Sequence, residues 1–249
     1  MIIFLFFSGE SAWRYALIHS AFIQYLIRLK AMDSILLNIA MGLPGFLLAI
    51  VAHEAAHAYM ALKFGDDTAK QAGRVSLNPA VHLDILGTIV FPLIGAITGG
   101  TMFGWAKPVP VDARRFKNVR SGMFWVSFAG PLMNIILGTL SALLIAILAT
   151  KIGEGFYFFK PFIQMLQQSV MINFILAAFN LIPLPPLDGS KMVTSFLNYN
   201  AMRKYEMLAN YSFLIFLVLM FTNVISYLLT PAVMFGNSLI YFFMNLLSH

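Results

Sequence analysis

Hydrophobic residues along the chain occur in long runs that are separated by short polar loops. Four runs are nearly free of charge. The first, 34–62, has Glu54 as its single Asp, Glu, Lys or Arg, and the runs 121–150, 162–187 and 207–248 have none. Each is at least as long as the ~20 apolar residues that a membrane-spanning helix needs. This pattern predicts an all-α polytopic membrane protein.

Two of the apolar segments depart from a simple single span. The run 207–248 is long enough for two passes, and Thr230-Pro231 is the expected break between them. The segment 83–106 is apolar but rich in glycine and interrupted by Pro92, which favours a re-entrant or membrane-buried hairpin over a straight helix. Such backbone is tolerated at membrane depth only where it is buried in protein or lines a cavity. We therefore expect about five to six transmembrane helices and one such hairpin.

Basic residues indicate the orientation of the loops. Eleven Lys and Arg residues lie in 63–82, 107–120 and 191–204, against two in 151–160. Loops rich in Lys and Arg face the cytoplasm. If the hairpin enters and leaves on one side, the three basic loops share the cytoplasmic face.

The N-terminal 30 residues leave their topology open. They are apolar but broken by polar residues, so a short span, a re-entrant piece and an interfacial helix all fit. Arg28 and Lys30 would lie near the face opposite to the basic loops, which conflicts with the orientation above. The sequence therefore does not determine how the N-terminal 30 residues are arranged relative to the membrane.

Composition supports a membrane protein. Hydrophobic residues make up 60% of the chain and charged residues 10%, where soluble domains carry about 25% charged residues. The absence of cysteine excludes disulfides and thiol chemistry. The net charge of +6 suits loops that face anionic lipid headgroups. Because the basic residues are scattered between spans, the lipid bilayer is an expected partner and nucleic acid is not.

The first run contains the pattern His53-Glu54-Ala-Ala-His57. Residues four apart share one helical face, so the two imidazoles can bind a single metal ion. The intervening Glu54 can deprotonate a metal-bound water, whose pKa zinc lowers from about 15.7 to about 7. Both histidines and Glu54 therefore predict a zinc-dependent hydrolase.

The setting of this pattern strengthens the prediction. An ionisable residue at a helix centre in lipid costs at least ~2.5 kcal/mol, and His53 lies roughly 14 Å inward from Leu62 at about 1.5 Å per residue. The alternatives are a polar packing cluster and a membrane metal or proton transporter that uses the same residues. A packing cluster would not need histidine, glutamate and histidine at this spacing.

A catalytic zinc ion has three protein ligands and one open position. Most other acidic residues and histidines lie near the termini or on basic loops, which leaves His82, Asp84 and Asp188 as candidates. Asp188 follows a proline-rich connection and is expected at the same side and depth as His57, although an ordinary Asp-Gly turn or helix cap would also explain it. His82 and Asp84 open the hairpin and could also line the mouth of the site.

Three motifs together resemble the site-2 protease family of intramembrane zinc metalloproteases. They are the motif His53 to His57, Gly130-Pro-Leu-Met-Asn134 on a later helix, and Asn180…Pro183…Leu187-Asp188-Gly189. The resemblance covers about residues 40–200. The stretches 73–84 and 104–110 are similar to the compact branch of the family, and the chain has no room for the PDZ domain that many relatives carry between the second and third motifs.

The resemblance implies specific roles for these residues. Asp188 is the third ligand of one zinc ion per chain, beside His53 and His57, and Glu54 is the catalytic base. Asn134 lies near the metal and supports the substrate or the transition state, and an interhelical hydrogen bond is the alternative role.

The resemblance also implies the reaction. Peptide bonds in or next to transmembrane segments of other membrane proteins would be hydrolysed, as in regulated intramembrane proteolysis. Residues 1–249 would form one membrane-embedded protease domain, with a catalytic core at about 34–206 and a C-terminal helical pair at 207–248. The rivals are the transporter above and a zinc peptidase whose active site lies outside the lipid, with Glu154 or Glu206 as third ligand.

Overall fold

The computed structural model describes residues 37, 39–91, 93–94, 104–152, 158–222 and 224–248. The chain divides into two units, Met1–Ala40 and Met41–His249, and the features below belong to the second. No β-strand occurs among the described residues, which confirms the all-α prediction. The N-terminal segment, Glu154 and the tip of the hairpin at 95–103 lie outside the described residues, so expectations about them stay predictions.

The described part of the chain is built from helices of very different lengths. In chain order the elements are α1 (Ile39–Lys63), α2 (Thr68–Gln71), α3 (Pro79–His82), a π-helix (Ile85–Val90), a 3-10 turn (Ala113–Arg115), α4 (Val119–Ile147), a π-helical end to α4 (Leu148–Ile152), α5 (Phe159–Asn180), α6 (Asp188–Thr194), α7 (Tyr199–Glu206), a second 3-10 turn (Met207–Tyr211), α8 (Ser212–Phe221) and α9 (Val224–Leu247).

Four of the described helices, α1, α4, α5 and α9, are long and apolar enough to cross a membrane. Each overlaps one of the four long apolar runs of the sequence. The total of about five to six spans stays a prediction, because the N-terminal segment lies outside the description.

The C-terminal run breaks at a different place from the expected one. The expected break was Thr230-Pro231, but Pro231 lies inside α9; α8 ends at Phe221 and α9 begins at Val224. Membrane helices tolerate an internal proline where neighbouring helices, hydroxyl side chains or water satisfy the backbone groups that it frees. With ten residues, α8 is too short to cross, so only α9 of this pair is a candidate span.

The loops at the end of α1 and the start of α4 are joined by hydrogen bonds. The N–H of Lys117 donates to the carbonyl of Phe64 at 3.0 Å, and the N–H of Asp112 donates to the fully buried carboxylate of Asp66 at 2.7 Å. Arg115 also forms an ion pair with Asp67. Two of the three basic loops therefore meet at one end of the bundle, as predicted.

The core between α4, α5 and α9 is packed around one aromatic ring. Phe174 of α5 lies between Gly138 of α4 and Gly236 of α9, where an added Cβ at either glycine would come within 2.8 Å of the ring. The ring is buried with Ala142, Ile145 and Val170. Small residues of this kind let helices in a membrane approach closely, and here they place α4 and α5 against each other beside the site.

The two described limbs of the segment 83–106 lie side by side. The N–H of Trp105 donates to the carbonyl of Gly87 at 3.0 Å, and the hydroxyl of Thr88 donates to the carbonyl of Trp105 at 2.9 Å. A third bond runs from the N–H of Lys107 to the carbonyl of His82 at 2.9 Å. This pairing agrees with the predicted hairpin.

Candidate active site

Three potential metal ligands from two distant parts of the chain meet inside the bundle. His53 and His57 project from α1, and Asp188 is the first residue of α6, which packs against α4. The two Nε2 atoms are 3.0 Å apart, and each lies 3.1 Å from Oδ2 of Asp188. All three residues are at least 92% buried. Among the described residues, these three form the group of His, Asp or Glu side chains that could bind one metal ion together.

The outer nitrogens of both imidazoles are already engaged. Nδ1 of His57 lies 2.6 Å from the main-chain carbonyl of Val126, which can only accept, so the proton is on Nδ1. Nδ1 of His53 lies 2.6 Å from Oδ1 of Asn134. The amide of Asn134 is oriented by its Nδ2, which donates to the carbonyl of Ala49 at 3.1 Å. Both rings therefore carry their proton on Nδ1 and present a lone pair at Nε2.

This proton arrangement calls for a cation between the donors. Two imidazole lone pairs and a carboxylate oxygen face one another at 3.0–3.1 Å, and a positive charge must lie among them to offset their repulsion. Nitrogen and oxygen ligands bind zinc at about 2.0–2.2 Å, so one ion can reach all three atoms. A metal ion binds the ionised carboxylate and the neutral imidazole, so a bound zinc ion would hold all three donors in the protonation states that the contacts above require.

Gly130 of α4 leaves the space beside the two imidazoles open. A Cβ at this position would lie 2.4 Å from Nε2 of His57 and 2.5 Å from Nε2 of His53. No side chain fits there without moving the rings. The glycine of the second motif therefore belongs to the site, although the sequence pointed to Asn134 of that motif rather than to Gly130.

Glu54 follows His53 on α1 and is held from outside the helix. Its Oε2 accepts a hydrogen bond of 3.0 Å from the main-chain N–H of Val109. Val109 lies between Pro108 and Pro110, which have no N–H of their own, so it carries the one donor of this tripeptide. A main-chain donor leaves no signature in a sequence, and this contact could not have been found there.

The other candidate ligands lie in different surroundings. His82 is buried, and its Nε2 donates to the carbonyl of Ser76 at 2.8 Å. Asp84 caps the π-helix that follows it, since its Oδ1 accepts from the N–H of Gly87 at 2.8 Å. Neither joins the donor group, and of the three candidates it is Asp188 that lies within 3.1 Å of both imidazoles. Glu206 ends the exposed helix α7, also away from the donor group.

Sequence reasoning missed one buried polar residue behind the site. Asn173 of α5 is fully buried, and its Oδ1 accepts from Nδ2 of Asn134 at 3.0 Å. The sequence did contain a sign of it: Ser169 and Asn173 are two polar residues four apart in an apolar run, so they lie on one face of a helix and indicate a buried polar contact.

These features define a class: a polytopic helical membrane protein with a candidate zinc-peptidase centre inside its bundle. The sequence profile of Peptidase family M50 matches residues 151–222. "Putative zinc metalloprotease YwhC" of Bacillus subtilis is 39% identical over 192 residues, which cover 77% of this chain and 84% of that protein. "Putative zinc metalloprotease Rip2" of Mycolicibacterium smegmatis is 28% identical over 181 residues, which cover 72% of this chain and 65% of that protein. No solved structure matches.

The chain therefore belongs to Peptidase family M50, the site-2 protease family, and is an integral membrane zinc metalloprotease. The resemblance found in the sequence is confirmed, including zinc as the cofactor. The family also decides between protease and transporter in favour of the protease.

Proposed function

We propose that this enzyme cleaves transmembrane proteins within or beside their membrane-spanning segments, in regulated intramembrane proteolysis. The observation that supports this most is the depth of the donor group. His53 and His57 lie on α1, one of the helices able to cross a membrane, and His53 is ten residues from the end of α1 at Lys63, roughly 15 Å along its axis at about 1.5 Å per residue. Peptide bonds that reach these donors must enter from the lipid or its boundary.

In this proposal His53, His57 and Asp188 hold the zinc ion. Zinc supplies Lewis acidity there, which activates the attacking water and the scissile carbonyl. Glu54 takes the proton of the attacking water and delivers it to the leaving amine. The N–H of Val109 holds one carboxylate oxygen of Glu54, which leaves the other oxygen available for that proton.

We propose that Asn134 acts on a metal ligand rather than on the substrate. Its side chain is fully buried. Its Oδ1 bonds His53, and its Nδ2 donates to Ala49 and Asn173. With every polar group engaged, the amide orients the imidazole of His53, as outer partners of metal-bound histidines commonly do.

We also propose that the active site opens toward the cytoplasm. Asp188 and its neighbour Lys191 lie at the end of the bundle where α5 finishes, and the joined loops after α1 and before α4 carry further Lys and Arg residues. Loops of this charge favour the cytoplasmic side. Water would then reach the donors from that side.

Replacement of Glu54 by glutamine tests the mechanism. The Glu54→Gln enzyme is expected to keep one zinc per chain, because glutamine leaves the three donors in place and its amide oxygen still accepts from Val109. Cleavage should fall by about 10²- to 10⁴-fold, the usual contribution of a general base. The measurement compares bound zinc with substrate turnover in the same purified preparations.

Glu206→Gln is the matched control, since it removes an exposed carboxylate far from the donors. Mass spectrometry of membrane proteins that accumulate uncleaved in cells expressing Glu54→Gln, but not Glu206→Gln, would supply the substrate for the rate measurement. Cleavage by Glu54→Gln at the wild-type rate would rule out the assigned base.

A further inference from the structure

A line of buried hydrogen bonds leads from the candidate metal centre away through the bundle. It begins at Nδ1 of His53 and passes to Asn134, whose Nδ2 donates to Oδ1 of Asn173. Asn173 in turn donates to the carbonyl of Ser169 at 2.9 Å and lies 3.3 Å from its hydroxyl. The hydroxyl of Ser169 lies 2.9 Å from that of Ser141. This polar line crosses from α1 through α4 to α5.

The direction of each bond near the metal centre is fixed by main-chain carbonyls. The carbonyl of Ser169 can only accept, so Nδ2 of Asn173 points to it and Oδ1 of Asn173 points to Asn134. The two hydrogens on Nδ2 of Asn134 are then both used, one by Asn173 and one by Ala49. Oδ1 of Asn134 is thereby presented to His53, where it can only accept the Nδ1 proton.

We propose that Asn173 is a positioning residue for the metal centre. Acting through Asn134, it fixes the tautomer and the ring orientation of His53 that leave Nε2 free to bind zinc. Asn173 itself touches none of the three donors. The inference rests on the proposed role of His53 as a zinc ligand, and it extends the site to a fourth helix, α5.

Membrane burial makes this support necessary. Asn173 and Asn134 are both fully buried, and inside a bilayer no water can replace a lost hydrogen bond. Without the acceptor on Asn173, one hydrogen of the Asn134 amide loses its partner. The carbonyl of Ala49 then holds the amide alone, and the angle at which Oδ1 of Asn134 meets Nδ1 of His53 is less restricted.

The test uses two substitutions that remove the acceptor and one that keeps it. Asn173→Leu has a similar shape and no polar atoms. In Asn173→Thr the hydroxyl can bond the carbonyl of Ser169, as Thr139 and Thr150 bond the carbonyls four residues before them, but it is too short to reach Asn134. Asn173→Asp keeps an acceptor for Asn134 and, in the protonated form that a site without water favours, a donor for the carbonyl of Ser169, so it is the conservative rescue.

Zinc affinity of the full-length protein in detergent, measured by competition with a chelator, is the main readout. Loss of an outer-shell partner lowers metal affinity by 10- to 100-fold, so Asn173→Leu and Asn173→Thr should bind zinc about tenfold more weakly. Their cobalt-substituted forms should show altered visible absorption. Asn173→Asp should stay within about twofold of wild-type affinity. The same holds for the control Thr139→Val, because the hydroxyl that it removes bonds only a carbonyl of its own helix.

Asp188→Asn, measured in parallel, separates this inference from the proposed function. If Asp188→Asn loses zinc while both Asn173→Leu and Asn173→Thr bind zinc with wild-type affinity and an unchanged cobalt spectrum, the positioning role of Asn173 is wrong and the ligand set stands. If Asp188→Asn retains wild-type affinity, the proposed ligand set itself is wrong. Should Asn173→Leu not fold, Asn173→Thr decides between these outcomes.

Discussion

Gly130→Ala is expected to lose its zinc and all measurable proteolysis. The new methyl group would lie 2.4–2.6 Å from atoms of both imidazoles, well inside van der Waals contact. Gly130 lies inside α4, whose backbone is packed against α5 and α9, so the helix cannot easily retreat. The rings of His53 and His57 must turn away instead, and the two Nε2 atoms can then no longer share one ion.

Metal content and cleavage rate of the purified protein check this prediction. Gly42→Ala is a suitable control, because it adds the same methyl group to α1 at a position where no described atom outside the helix's own neighbouring turns lies within 4 Å. Helix content measured by circular dichroism should be unchanged in both variants, which separates a local effect from a folding defect. A Gly130→Ala protein that binds zinc with wild-type affinity would show that the donors do not meet where the structure places them.

Asp188→Asn is expected to have the other very large effect. The substitution preserves the size of the side chain but removes the negative charge that helps to bind a divalent ion. It also introduces an amide, which is a poor zinc ligand beside carboxylate, histidine and cysteine. Stoichiometric zinc should be lost and cleavage should fall to background, a larger loss than for Glu54→Gln.

Asp84→Asn is the control for Asp188→Asn, since Asp84 was the other aspartate that the sequence left as a candidate ligand. It caps the π-helix after it and lies apart from the donors, so zinc content should remain at one per chain. The reverse result, with zinc lost only in Asp84→Asn, would assign the third ligand to the hairpin.

The sequence revealed those parts of the site that depend on local spacing. His53 and His57 are four residues apart, so helical geometry alone brings their rings together. Asp188 is 135 residues away from His53, and no local rule brings the two together. Reasoning from the residues left His82 and Asp84 as alternatives, and family resemblance was needed to choose. In the structure Asp188 contacts both imidazoles, while His82 and Asp84 bond the main chain instead.

The sequence could not reveal contacts that depend on main-chain atoms or on close packing. Val109 reaches Glu54 through its N–H, which every residue except proline possesses. Gly130 matters because of the space beside it, and that space exists only once α4 lies against α1. Asn173 became significant when its partner on α4 was known.

The positions of the helices could be predicted from the apolar runs, but the break expected at a proline could not. The apolar runs predicted α1, α4 and α5 to within seven residues of their ends. Pro231 was expected to break the last run but lies inside α9. A proline in a membrane helix is therefore a weaker break signal than in a soluble one.

The most direct measurement of the metal centre is X-ray absorption at the zinc edge of the purified wild-type protein, together with its zinc content. We expect one zinc per chain, with nitrogen and oxygen ligands at about 2.0–2.2 Å and the outer-shell scattering of two imidazole rings from His53 and His57. A protein with no stoichiometric zinc, or zinc without two imidazoles, would contradict a site in which these histidines and Asp188 share one ion.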